Sequence, residues 1–205
     1  MDFPNNLFKI LAIMAFVYYL YTEGKKKQIS SLGSNNEGLN GWINTGYGYG
    51  YGEMNPAEAL PELIKKFGKP TIFDSKTNGH AIWEKSVLNK TPYEKIMIRD
   101  QQIPHDKPTK HTDFLYSWYR LDIPNDKIKA LYHIFDNISY DSSKNIMIAR
   151  SDNMRSNLVT HWIAKKYADG KLTIDEVNGL IGPMMIELSE NDPTNSKYLQ
   201  LESEL

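Results

Sequence analysis

Residues 103–113 read Ile-Pro-His-Asp-Lys-Pro-Thr-Lys-His-Thr-Asp, the sharpest local cluster of titratable groups in the chain. His105, His111 and Asp113 are a two-histidine, one-carboxylate set of the kind that can hold a divalent metal. Joined by Asp106, they could instead supply acid–base groups for a hydrolysis. Lys107 and Lys110, with the imidazoles, could bind a phosphate. Pro104 and Pro108 stiffen the stretch, which also fits a plainer reading as a polar, proline-pinned connection between two strands. Its spacing matches no closed metal motif, so the connection is the expected role and no cofactor is expected. If the chain is an enzyme, His105, Asp106, His111 and Asp113 are its catalytic candidates.

Other chemistry is scarcer. Asp169-Gly170-x-Leu172-Thr173-x-x-Glu176 matches the second half of a calcium loop, but Lys165 and Tyr167 stand where two oxygen ligands belong. A helix stop followed by a capping box explains the same residues better. There is no Gly-x-Ser-x-Gly elbow, no His-Glu-x-x-His and no phosphate-binding Gly-x4-Gly-Lys-Ser/Thr. Tyr116, Trp118 and Tyr119 beside Arg120 could stack bases, although sheet core is the commoner use of such a run. His80, His133 and His161 are isolated and read as structural. Asn137-Ile138-Ser139 is a glycosylation sequon by pattern alone.

The elements that must position these groups begin at Asn55-Pro56, a capping residue followed by a proline suited to the first helical position. Ala59, Leu60, Leu63, Ile64 and Phe67 form an apolar stripe that stops at Gly68 and Pro70, with Pro61 placed to kink or shorten the helix. Strands are expected at 71–73 and 80–83 around the Asn78-Gly79 turn, at 93–99, and at 114–123. In the last of these, Phe114, Tyr116 and Trp118 should share one face. Helices are expected at 127–135, 143–150 and 156–168, the last stopped by Gly170. Another opens at Thr173 and breaks at Gly182-Pro183. The last nineteen residues, rich in acids, should fray. Strands followed by helices, without regular alternation, indicate an α+β domain with a small antiparallel sheet and C-terminal helices.

Composition bounds the rest. The 205 residues carry a formal net charge of −1 with both signs well mixed, which argues against nucleic acid as the main partner. The absence of cysteine removes disulfides, thiolate catalysis and cysteine-ligated metals. Residues 7–21, LFKILAIMAFVYYLY, are apolar around the whole helical circumference and read as a single-pass membrane anchor. Lys9 can reach one interface by its stem, Tyr18, Tyr19 and Tyr21 suit the other, and Lys25, Lys26 and Lys27 follow. That basic triplet places the C-terminal bulk on the cytosolic side. Residues 25–54, with glycine at every second position from Gly46 to Gly52, read as a linker. The expected organisation is therefore an anchor over 1–24, a linker over 25–54, an α+β domain over 55–186 and an acidic tail over 187–205.

The segments NGHAIWEKS, IPHDKPTKHTDFLYSWYRLDIP and HWIAKKYADGKLT, within residues 79–180, resemble an uncharacterised protein family of large DNA viruses of algae and protists. The resemblance carries no activity and no catalytic residues; it implies a viral setting, a virion or a host membrane. Together these readings lead to a membrane-anchored, non-enzymatic interaction or structural protein with a protein partner. The alternative is a small membrane-bound hydrolase, metal- or acid–base-dependent, that uses the 105–113 cluster.

Overall fold

The computed structural model describes residues 56–74, 79–105, 111–189 and 196–205, all within the compact unit Gly41–Leu205. The anchor with its interface residues, the linker, and Asp106 lie outside the described residues. Among the described residues no helix is long and apolar enough to cross a membrane.

The fold is α+β. Helix α1 (Pro56–Phe67) precedes β1 (Ile72–Asp74), β2 (His80–Glu84), β3 (Tyr93–His105) and β4 (His111–Arg120). Helix α2 (Asn125–Tyr132) leads to β5 (Ile138–Asp141) and β6 (Ile146–Ser151), then to α3 (Met154–Ala168), α4 (Ile174–Ser189) and α5 (Ser196–Ser203). All strand pairs are antiparallel, in the order β1-β2-β3-β4-β6-β5.

Alternation decides which residues meet the helices. The register sets Ala81 beside Ile98, Trp83 beside Ile96, Ile96 beside Ser117 and Ser117 beside Ala149. All of these are buried. Helix α3 covers them: the Asn157 side-chain amide donates to the Leu115 carbonyl at 3.3 Å, and His161 meets Ser117. Helix α1 is tied to the sheet where the Trp83 indole N–H donates to the Gly68 carbonyl at 2.8 Å. Gly68 can end that helix because its φ of 81° lies in the left-handed region, which a side chain disfavours. Pro61 does not shorten α1, whose Leu60 and Leu63 remain buried on both sides of it.

The structure departs from expectation in four places. Residues 143–150 are not a helix: Ser143 N–H and Oγ–H both bond Asp141 Oδ1, at 3.0 and 2.6 Å, and Asn145 adopts φ 54°. That side-chain-locked turn makes β5 and β6 a hairpin. Helix α4 does not break at Gly182-Pro183 but runs to Ser189, crossing the expected domain boundary; Val177 and Met184, both buried, hold it on either side of the proline. The acidic C-terminus does not fray throughout. Helix α5 buries Leu201, Glu202 meets Lys66 at 2.9 Å, and Glu204 meets Lys166 at 2.7 Å and the Trp162 indole N–H at 2.9 Å. Strand β3 also runs six residues past Arg99, so His105 and His111 stand on strands rather than in a long loop.

Two helix signals are realised as read. Gly170, at φ 73°, follows α3. Thr173 and Glu176 close a reciprocal capping box, with Thr173 N–H to Glu176 Oε2 at 2.7 Å and Glu176 N–H to Thr173 Oγ at 3.3 Å. Asp169 is engaged by Lys165 at 3.0 Å, the ammonium that excluded a calcium loop.

Candidate interaction surface

The cluster that opened the chemistry is divided by the fold. His105 and His111 are direct cross-strand partners, which places their Cα atoms about 4.5–5.5 Å apart. Asp106 is outside the described residues. Asp113 is completely buried, and its Oδ2 accepts from Arg150 Nε at 2.9 Å. A guanidinium thus lies where a metal bound through that oxygen would have to sit. Among the described residues, no group of three or more His, Cys, Asp or Glu is placed to hold a metal ion.

Histidine 161 is a core residue, as its isolation in sequence indicated. Its Nε2 lies 2.8 Å from Ser117 Oγ, both residues are buried, and the rings of Tyr93 and Tyr119 stand 6.1 and 5.3 Å away. Burial lowers its pKa to about 3, because the surroundings disfavour the imidazolium. A serine and a histidine in contact invite a nucleophilic reading, but this pair is sealed between α3 and the sheet, with no path for a substrate.

The opposite face of the sheet is different. Moving one residue along each strand exchanges Trp83, Ile96, Ser117 and Ala149 for Glu84, Lys95, Trp118 and Ile148. The register aligns Lys95 with Trp118 and Trp118 with Ile148; the next row aligns Ile82, Met97, Tyr116 and Arg150. Most of these side chains are half-buried. The Trp118 and Tyr116 rings lie 6.1 Å apart, and each carries a cation: Lys95 Nζ at 3.8 Å from the Trp118 centroid and Arg99 at 5.5 Å from that of Tyr116.

At one end of this face a cleft of about 330 Å³ opens over Trp118, Ile146 and Ile148. Its rim mixes Lys85, Lys95 and Lys144 with Glu84, Glu94 and Asp141. Glu94 lies between Lys85 at 3.7 Å and Arg120 at 3.6 Å, and Asp141 pairs with Lys144 at 3.2 Å. Partial burial lowers the Lys95 pKa, offset by Glu84 and assisted by Arg99 and Lys144. Burial raises the Tyr116 pKa, and among the described residues its hydroxyl meets no hydrogen-bond partner.

Alternation correctly grouped Tyr116 with Trp118, whereas Phe114 is fully buried, and Lys95, Met97 and Arg99 did not stand out. Their strand contains the continuous run Ile96-Met97-Ile98, which hides a two-residue period. Pairing with β2 and β4 is what separates its faces. No protein-family model, curated protein or solved structure matches the chain.

Proposed function

We propose that this chain is a membrane-anchored, non-enzymatic interaction protein. Residues 7–21 would hold it in a bilayer, residues 25–54 would give it reach, and the α+β domain would meet another protein through the open face of its sheet. The observation that carries this reading is the second face itself. Tyr116, Trp118 and Arg99 lie together, with the largely buried Met97 beneath them, on a surface that the described helices leave open, surrounded by ion-paired side chains. Aromatic residues, Met and Arg inside a polar rim are the usual composition of protein contact surfaces. The basic triplet 25–27 favours a cytosolic position for the domain. The resemblance to viral proteins suggests a virion or host membrane, with a capsid or membrane-associated component as the partner.

The anchor is tested by alkaline carbonate extraction of membranes carrying the full chain, beside a chain lacking residues 1–24. The reading expects the full chain to stay in the pellet and the shortened one to leave it; release of both contradicts it.

A second reading rests on the pairing of His105 with His111, which brings two candidate ligands to one end of a hairpin. A metal- or acid–base-assisted hydrolase would use them with Asp106. Zinc or manganese titration of the full chain against a His105→Ala/His111→Ala double variant decides the metal form: stoichiometric binding lost in the variant supports it, and equal binding removes it.

A further inference from the structure

We infer that the open sheet face takes an extended, acidic protein segment laid along β3, with carboxylates four residues apart and an apolar side chain midway between them. The inference rests on the protein-contact reading above and names the partner's chemistry.

Charge is the first argument. Six cations, Lys85, Lys95, Arg99, Arg120, Lys144 and Arg150, stand on or around this face, against five carboxylates, Asp74, Glu84, Glu94, Asp113 and Asp141. The chain as a whole is at −1, so the face is positive on a molecule that is not. The surplus is localised. Glu94, Asp141 and Asp113 already have cationic partners at 2.9–3.7 Å. Among the described residues, no carboxylate lies within ion-pair distance of Lys95 or Arg99; both rest over aromatic rings instead.

Spacing is the second. Lys95 and Arg99 are four residues apart on one strand with Met97 between them, all on the same face. At about 3.3 Å per residue the two cations are about 13 Å apart along the strand. A segment in extended conformation repeats side chains on one face with the same period. A pattern Glu-x-Leu-x-Glu would therefore place its carboxylates at Lys95 and Arg99 and its leucine midway, over the half-buried Tyr116 that pairs with the largely buried Met97. The Tyr116 ring, with Arg99 5.5 Å from its centroid, would flank such a carboxylate, while its hydroxyl is buried beneath the face. Nucleic acid fits less well, because Lys95 already covers the Trp118 ring and Glu84, Glu94 and Asp141 line the cleft where phosphates would run.

The test is fluorescence anisotropy with the full chain in a non-ionic detergent. The probes are a labelled peptide containing Glu-Ser-Leu-Ser-Glu, the same peptide with Gln for Glu, and a twelve-residue oligothymidine. The expected result is salt-sensitive binding of the acidic peptide, weakened about tenfold by each of Lys95→Glu and Arg99→Glu, the cost of losing one charge contact. Tyr132→Glu, on the helical side, should leave it unchanged. A peptide with Lys for Glu should bind the Lys95→Glu/Arg99→Glu double variant, a rescue that misfolding cannot mimic. Equal binding of the Glu and Gln peptides overturns the acidic preference and leaves the contact surface standing. Tighter binding of the oligonucleotide overturns both, and binding of no probe overturns the inference.

Discussion

The two faces of this sheet are made by the same strands, one residue out of step, yet they have opposite characters. On one, Trp83, Ile96, Ile98, Leu115, Met147 and Ala149 disappear under the helices, and the polar Ser117 meets His161 Nε2 at 2.8 Å. On the other, Trp118 and Tyr116 remain half-buried, and the charges around them pair along the surface. Two tryptophans, Trp83 and Trp118, illustrate the difference. The first donates its N–H to Gly68 and locks a helix to the sheet, whereas the second offers a ring face to an ammonium. A residue used for folding is surrounded on all sides; one available for recognition keeps a side open.

The comparison breaks most easily at its tryptophans. Trp83→Ala should destabilise the domain by about 4 kcal/mol through cavity and transfer terms. Trp118→Ala should cost about 1 kcal/mol or less. Urea unfolding of both variants checks this, and equal losses would mean that Trp118 is as structural as Trp83.

The Arg150–Asp113 pair sits between the two worlds. Asp113 is fully buried while the Arg150 side chain is 30% exposed. Arg150→Ala removes the cation 2.9 Å from a buried carboxylate and should cost about 2 kcal/mol, less than a fully buried pair because water can still approach. Arg150→Lys should recover part of that. A loss no greater than that of an ordinary surface substitution would mean the pair does not hold the distal end of the β3–β4 hairpin.

The most gradual effect concerns acid. His161 would titrate near 6.5 in the unfolded chain but only at about 3 in the folded one. Below pH 6.5 the unfolded state therefore binds a proton that the folded state refuses. Stability attributable to this residue is fully present above pH 6.5 and falls by about 1.4 kcal/mol per pH unit as acid is added, towards the folded value. Chemical denaturation at pH 7, 6 and 5 should show this slope, and His161→Gln should flatten it. An identical slope in the variant would place the acid sensitivity elsewhere.

Much of this architecture was legible in local signals. Gly68, Gly170 and the Thr173–Glu176 box each act within a few residues, so their effects could be read from the chain alone. So could the shared face of Tyr116 and Trp118. What escaped depends on distant partners. The β5–β6 hairpin needed β4 to pair with β6; α4 survives Pro183 because it is held by core contacts; and α5 orders an acidic tail through Lys66, Lys166 and Trp162. The candidate metal set shows the same limit from the other side. His105 and His111 do meet across the hairpin, but Asp113 is taken by Arg150, 37 residues away, which no spacing rule within the cluster could foresee.

The central claim is that the open face is covered in the membrane setting while the helical side is not. Because the chain has no cysteine, a single introduced thiol reports one position without background. The decisive measurement is the rate of maleimide labelling of Ile148→Cys, in the cleft, and Tyr132→Cys, which replaces an exposed side chain on the helical side. Each is measured in native membranes and again on the purified full chain. The account predicts that Ile148→Cys labels several-fold more slowly in membranes while Tyr132→Cys labels alike in both. Equal rates for Ile148→Cys in the two settings would contradict it.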